Sequence, residues 1–183
     1  MPERTYSFIE MRLPMPLMSA AAEPGKLDEA VAHIAARDAE LGRIAQAEAH
    51  YFRGQPEEAH ANAAPFLDHP DPALRISANF ICAYADLALG KIWETKECLA
   101  NIAAMRGDES IEATPALHAS YILFDAASSV LLHLSTPYPP GTFAKHIATL
   151  PEGLRLFAIY ALAHHAYLFG EYGRCVGMAE TAL

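Results

Sequence analysis

Valine is nearly missing from this sequence, with three copies in 183 residues against 36 alanines. Alanine is the strongest helix former and β-branched residues favour strands, so this ratio excludes an all-β or doubly wound α/β fold. Basic residues are scarce as well. Thirteen lysines and arginines stand against 22 aspartates and glutamates, a net charge of −9. No basic cluster is available to neutralise phosphates, so these residues do not form a nucleic-acid surface. The cysteines, Cys82, Cys98 and Cys175, number only three, with spacings of 16 and 77. That pattern gives neither a disulfide framework nor a zinc motif and predicts reduced, buried thiols.

Long apolar runs are absent too. The apolar fraction of 52% suffices for a packed core. No run, however, reaches the ~18 residues that span a bilayer. The apolar stretch over residues 8–22 is cut by Glu10, Arg12, Pro14 and Pro16, which makes a poor signal peptide. The expectation is a cytoplasmic protein with no membrane partner.

Catalytic patterns are equally lacking. There is no Gly-x-Ser-x-Gly elbow, no phosphate loop and no dinucleotide glycine motif. His-Glu-x-x-His and Cys-x-x-Cys do not occur, and the adjacent His164 and His165 point about 100° apart on a helix, unable to chelate one ion. Each of the nine histidines is expected in a structural or surface role. Ser128 and Ser129 are expected to bond a carbonyl one turn back. Asp125 has two readings, a buried carboxylate and, favoured over it, a solvated or backbone-bonded side chain. With His164 it is the only pair that an enzymatic reading can nominate. No enzyme, no cofactor and no metal site is expected.

What is present is a repeat. Ala47-Glu-Ala-His-Tyr-Phe-Arg-Gly54, Ala83-Tyr-Ala-Asp-Leu-Ala-Leu-Gly90 and Ala163-His-His-Ala-Tyr-Leu-Phe-Gly170 read alike, their glycines 36 and then 80 residues apart. A period of that length signals stacked helical hairpins, with the missing turn near residue 135. Aligned on the glycines, small residues recur at three offsets: Gly42, Ala78 and Ala158; Ala47, Ala83 and Ala163; Ala59, Thr95 and Cys175. Such positions let two helices approach closely. Each glycine suits a helix C-cap, and Pro56 with Glu57 and Glu58 suits the first turn of the next helix.

The spacing predicts helices near 26–36, 39–53, 56–67, 72–89, 91–105, 112–134, 142–149, 152–169 and 171–183. The fold expected is therefore all-α, about nine helices in stacked hairpins over 26–183. Residues 1–25 form an extended lead-in, packed on the first hairpin or left as a loose tail. The last segment lacks a cap and a polar outer face, which predicts a chain cut inside its array. Apolar surface at such an end also allows a homodimer.

Two motifs resemble known families. Tyr51-Phe-Arg-Gly-Gln-Pro-Glu-Glu-Ala59 resembles a tetratricopeptide hairpin turn. Leu150-Pro-Glu-Gly-Leu-Arg-Leu-Phe157, running on through Ala166-Tyr-Leu-Phe-Gly-Glu-Tyr172 to Ala182, resembles the regulatory region of LuxR-type bacterial transcription regulators. Asp71-Pro-Ala-Leu-Arg75 and Leu131-Leu-His-Leu134 fit the same pattern, and the resemblance covers roughly residues 30–183. It implies a tetratricopeptide-like right-handed superhelix that senses an effector or partner. DNA binding would belong to a C-terminal helix-turn-helix missing from this chain. Thr95 and Cys175 depart from the usual alanine after the turn, and the third copy has no glycine.

Ten, six and three residues before each glycine share one helix face. These are Ile44, Glu48 and Tyr51; Phe80, Tyr84 and Leu87; Tyr160, His164 and Tyr167. In tetratricopeptide repeats the corresponding face lines the concave surface that binds peptides or small ligands. Aromatics with polar tips suit recognition. The alternative reading is that the aromatics simply fill the space between hairpins; the candidate groove residues are Glu48, Tyr51, Phe80, Tyr84, Tyr160, His164 and Tyr167. A free-standing adaptor that holds a peptide or protein in this groove is the alternative to a regulator's sensing domain.

Overall fold

A computed structural model describes residues 9, 11–112, 114–131, 146, 149–168, 170–173 and 176–177. All regular structure among them is helical: α1 (Pro16–Ser19), α2 (Leu27–Ala35), α3 (Ala39–Phe52), α4 (Pro56–Ala63), α5 (Pro72–Ala88), α6 (Ile92–Ala104), α7 (Glu109–Glu112), α8 (Pro115–Leu131) and α9 (Glu152–Leu168). Short 3-10 turns lie at Pro24–Lys26 and Ala64–Phe66. The expected helices over 142–149 and 171–183, the turn near 135, and Cys175 lie wholly or largely outside the described residues. Where one helix was expected from residue 112, the chain makes the short α7 and then restarts at Pro115, since proline fits a first turn and not an interior.

Three helices end in turns of the same backbone geometry. Gly54, Gly90 and Gly170 adopt φ of 68°, 75° and 77°, the left-handed region open to glycine without steric cost. After each glycine, the next N–H reaches back to a carbonyl of the preceding helix: Gln55 to His50 at 3.0 Å, Lys91 to Asp86 at 2.8 Å and Glu171 to Ala166 at 2.8 Å. This six-to-one closure satisfies carbonyls that the helix end would otherwise leave open. At the other end of the hairpins, Asp38 caps α3 by accepting from Glu40 and Leu41 N–H, and Asp71 caps α5 by accepting from Ala73 and Leu74 N–H.

The small positions lie where helices meet. Ala47, Ala78, Ala83, Ala59 and Ala158 are buried, and a methyl added at Gly42 would overlap Ala35. Thr95 keeps the pattern despite its hydroxyl, which donates to the Lys91 and Ala83 carbonyls at 2.9 and 3.3 Å. Helices joined by a turn pack on one another, and the opening helices α3, α5, α8 and α9 also touch in series. That series forms one wall of contacting helices. No helix among the described residues is long and apolar enough to cross a membrane.

The lead-in joins this wall. Between residues 11 and 22 it bends through three non-glycine residues with positive φ, Arg12 at 45°, Met15 at 52° and Ala21 at 49°. Each such residue costs about 1–3 kcal/mol, so tertiary contacts must hold the bend. Leu13, Met15 and Leu17 are buried, and α1 touches both α3 and α9. The segment thus packs on the first hairpin, one of the two alternatives expected for the lead-in, through a bent backbone. It straps the first hairpin to the last described helix.

Candidate functional site

The strap is held by side chains of the repeat acting on its backbone. Glu48 of α3 accepts the Leu17 N–H at 2.8 Å and the Met18 N–H at 2.7 Å. Ser77 of α5 accepts the Met15 N–H at 2.9 Å while its own hydroxyl donates to the Ala73 carbonyl. At the edge, the Arg12 guanidinium lies 2.8 Å from Asp71, 3.1 Å from Glu40 and 3.6 Å from Asp38. Arg12 therefore ties the strap to the capping aspartates of α3 and α5. Burial pushes the Glu48 carboxyl up to about 8, with the Leu17 and Met18 amides pulling it down.

On the far side the strap presses on α9. A methyl at Gly153 would overlap the Met18 carbonyl oxygen, whereas one at Gly25 would meet open space. Gly153→Ala is expected to lower stability by about 1–3 kcal/mol, as overpacking does, while Gly25→Ala leaves it within ~0.5 kcal/mol. Thermal denaturation of the two variants checks this. Equal effects would mean that the strap does not meet α9.

Beside the strap runs a row of rings contributed by all four opening helices. Tyr51 of α3 meets Tyr84 of α5 edge-on at 5.6 Å, and Tyr84 tilts against Phe80 at 4.8 Å. Phe80 touches Phe124 of α8 at 4.8 Å and Phe157 of α9 at 5.7 Å. Phe157 leads to Tyr160 at 6.4 Å, and Tyr160 to His164 at 6.0 Å. Burial raises the Tyr51 phenol above its usual range, and the Tyr160 phenol adds to it. Tyr84 is raised by burial first, then by Tyr51 and Tyr160. Three phenols from three helices thus converge at one place. A narrow pocket of about 10 Å³, space for roughly one water, opens between Tyr84, Ala127, Leu131, Phe157, Tyr160 and His164.

Of the seven candidate residues, Tyr51, Phe80, Tyr84, Tyr160 and His164 fall in this row. Tyr160 is 62% exposed, whereas Phe80, at 3%, packs the interior. Glu48 lies on the same face but beneath the strap. Tyr167 pairs instead with Tyr172 at 5.8 Å and is 58% exposed. Phe157 and Ser77 belong to the face and were not singled out by the glycine offsets. Phe124 stood only in an apolar stripe, because its repeat lacks the glycine that would set the register.

Asp125 takes the less favoured of its two readings. Rather than being solvated or bonded to backbone, its carboxylate is buried and grips Arg106, just past the end of α6, through both oxygens, the shortest contact being 2.8 Å. His164 sits in the aromatic row beside Tyr160. Asp86, also buried, has Oδ1 at 3.0 Å from His60 and 3.5 Å from Lys91. Ser128 and Ser129 bond the carbonyls of Phe124 and Asp125, as expected. No group of three or more His, Cys, Asp or Glu among the described residues is arranged to hold a metal ion.

Comparison with family models, with curated proteins and with solved structures finds no match. The functional reading therefore rests on the face itself.

Proposed function

We propose that the chain is the effector- or partner-binding helical-repeat domain of a LuxR-type transcription regulator, built as a tetratricopeptide-like right-handed superhelix. DNA binding would reside in a C-terminal helix-turn-helix outside this chain. The observation that carries the binding reading is the row from Tyr51 to His164, in which four opening helices pool aromatic rings on one face. Rings that keep a polar tip bury large area and still orient a ligand by hydrogen bonding. Ligand binding there would shift the equilibrium between DNA-competent and incompetent forms by its differential affinity for the two.

The strap favours a second reading. A face whose Glu48 and Ser77 already engage backbone N–H groups of an apolar segment is suited to peptides, which fits a free-standing adaptor equally well. Sequencing the source gene past the codon for Leu183 separates the two. Further helical repeats followed by a helix-turn-helix are expected for the regulator. A stop codon directly after Leu183 would remove it and leave the adaptor.

A further inference from the structure

We propose that residues 11–22 are a releasable internal occupant of the binding face, displaced by a partner peptide of the same kind: an apolar segment offering two adjacent backbone N–H groups. The inference deepens the binding reading and rests on it. Its first support is who makes the bonds. The N–H groups of Met15, Leu17 and Met18 are received by the side chains of Ser77 and Glu48. The groups that accept them belong to the two opening helices that carry Tyr51 and Tyr84. That is how a receptor holds a ligand's main chain, with apolar side chains, here Leu13, Met15 and Leu17, filling the spaces between.

The second support is strain. Among the described residues every non-glycine positive φ, at Arg12, Met15 and Ala21, falls within this segment. A strained occupant is released more readily than a relaxed one. The third is the connection to α2. Residues 23–26 are exposed, and Gly25 has open space around it, so this loop can act as a hinge without breaking the core. Arg12, anchored on Asp38, Glu40 and Asp71 at the surface, is the contact a competing charge reaches first.

The test uses the whole chain with a protease site placed across residues 23–26. The probe is a fluorescent synthetic peptide of residues 11–22, followed by anisotropy. Tethering gives the internal segment an effective concentration in the millimolar range. The uncut chain should therefore bind the probe at least ~100-fold more weakly than the cut chain, which should exchange its own segment for the probe and saturate. A peptide carrying Leu17→Asp, whose folding is not at issue, should fail to compete. Cut protein that keeps its helical circular dichroism yet never exchanges would overturn the proposal. So would cut protein that unfolds, because the segment would then be an integral part of the core. Exchange combined with a gene that stops at Leu183 would keep this inference while removing the regulator.

Discussion

Glu48→Ala is expected to destabilise the chain by about 3 kcal/mol and to free residues 11–22. Removal of the carboxylate leaves the Leu17 and Met18 N–H groups without acceptors in a buried site, at about 1–3 kcal/mol each. The loss is bounded, because the strap can leave the face and let water take those donors. Limited proteolysis would then cut within residues 11–22 while the hairpins stay intact.

The same residue sets a pH dependence. Folded Glu48 has its carboxyl raised from 4.5 to about 8 by burial, so the folded state holds a proton that the unfolded state has released. Stability from this group is complete below pH ~4.5 and is lost as pH rises through about 8. Thermal midpoints measured from pH 5 to 8.5 should fall for the native chain relative to Glu48→Gln, which has nothing to titrate there. Parallel curves for the two proteins would show that Glu48 is not enclosed by the strap.

Phe124→Ala carries the other large effect, about 3–5 kcal/mol. The ring is fully buried and meets Phe80 at 4.8 Å and Phe157 at 5.8 Å, so it joins α5, α8 and α9 in one contact. Its loss leaves a cavity that the facing helices can close only in part. Phe124→Leu should cost less, about 1.5 kcal/mol, because much of the volume remains. Urea unfolding of both variants reads the difference. An alanine variant as stable as the leucine one would mean that the aromatic row is not continuous through α8.

The hairpins were legible in the sequence because their signals are local. A glycine at Gly54, Gly90 or Gly170 must sit in a left-handed turn, and the small residues around it follow from the closeness of two helices. The strap was not legible in the same way. Residues 11–22 have no 3.6-residue apolar period, and their partners, Glu48 and Ser77, lie 30 to 62 residues away. Glu48 was expected to line the concave groove on its offset from Gly54 alone, a signal blind to anything lying over that face. Two amides from the strap bury it instead. Burial of Asp125 is the less favoured reading in the sequence, because its partner Arg106 lies 19 residues away, just past α6.

Amide hydrogen exchange at Leu17 and Met18 in the intact chain tests the central claim most directly. Held by Glu48 in a buried site, both amides should exchange many-fold more slowly than in the free peptide of residues 11–22, and protection should vanish in Glu48→Ala. Exchange of these two amides at the free-peptide rate would contradict a face closed by its own segment.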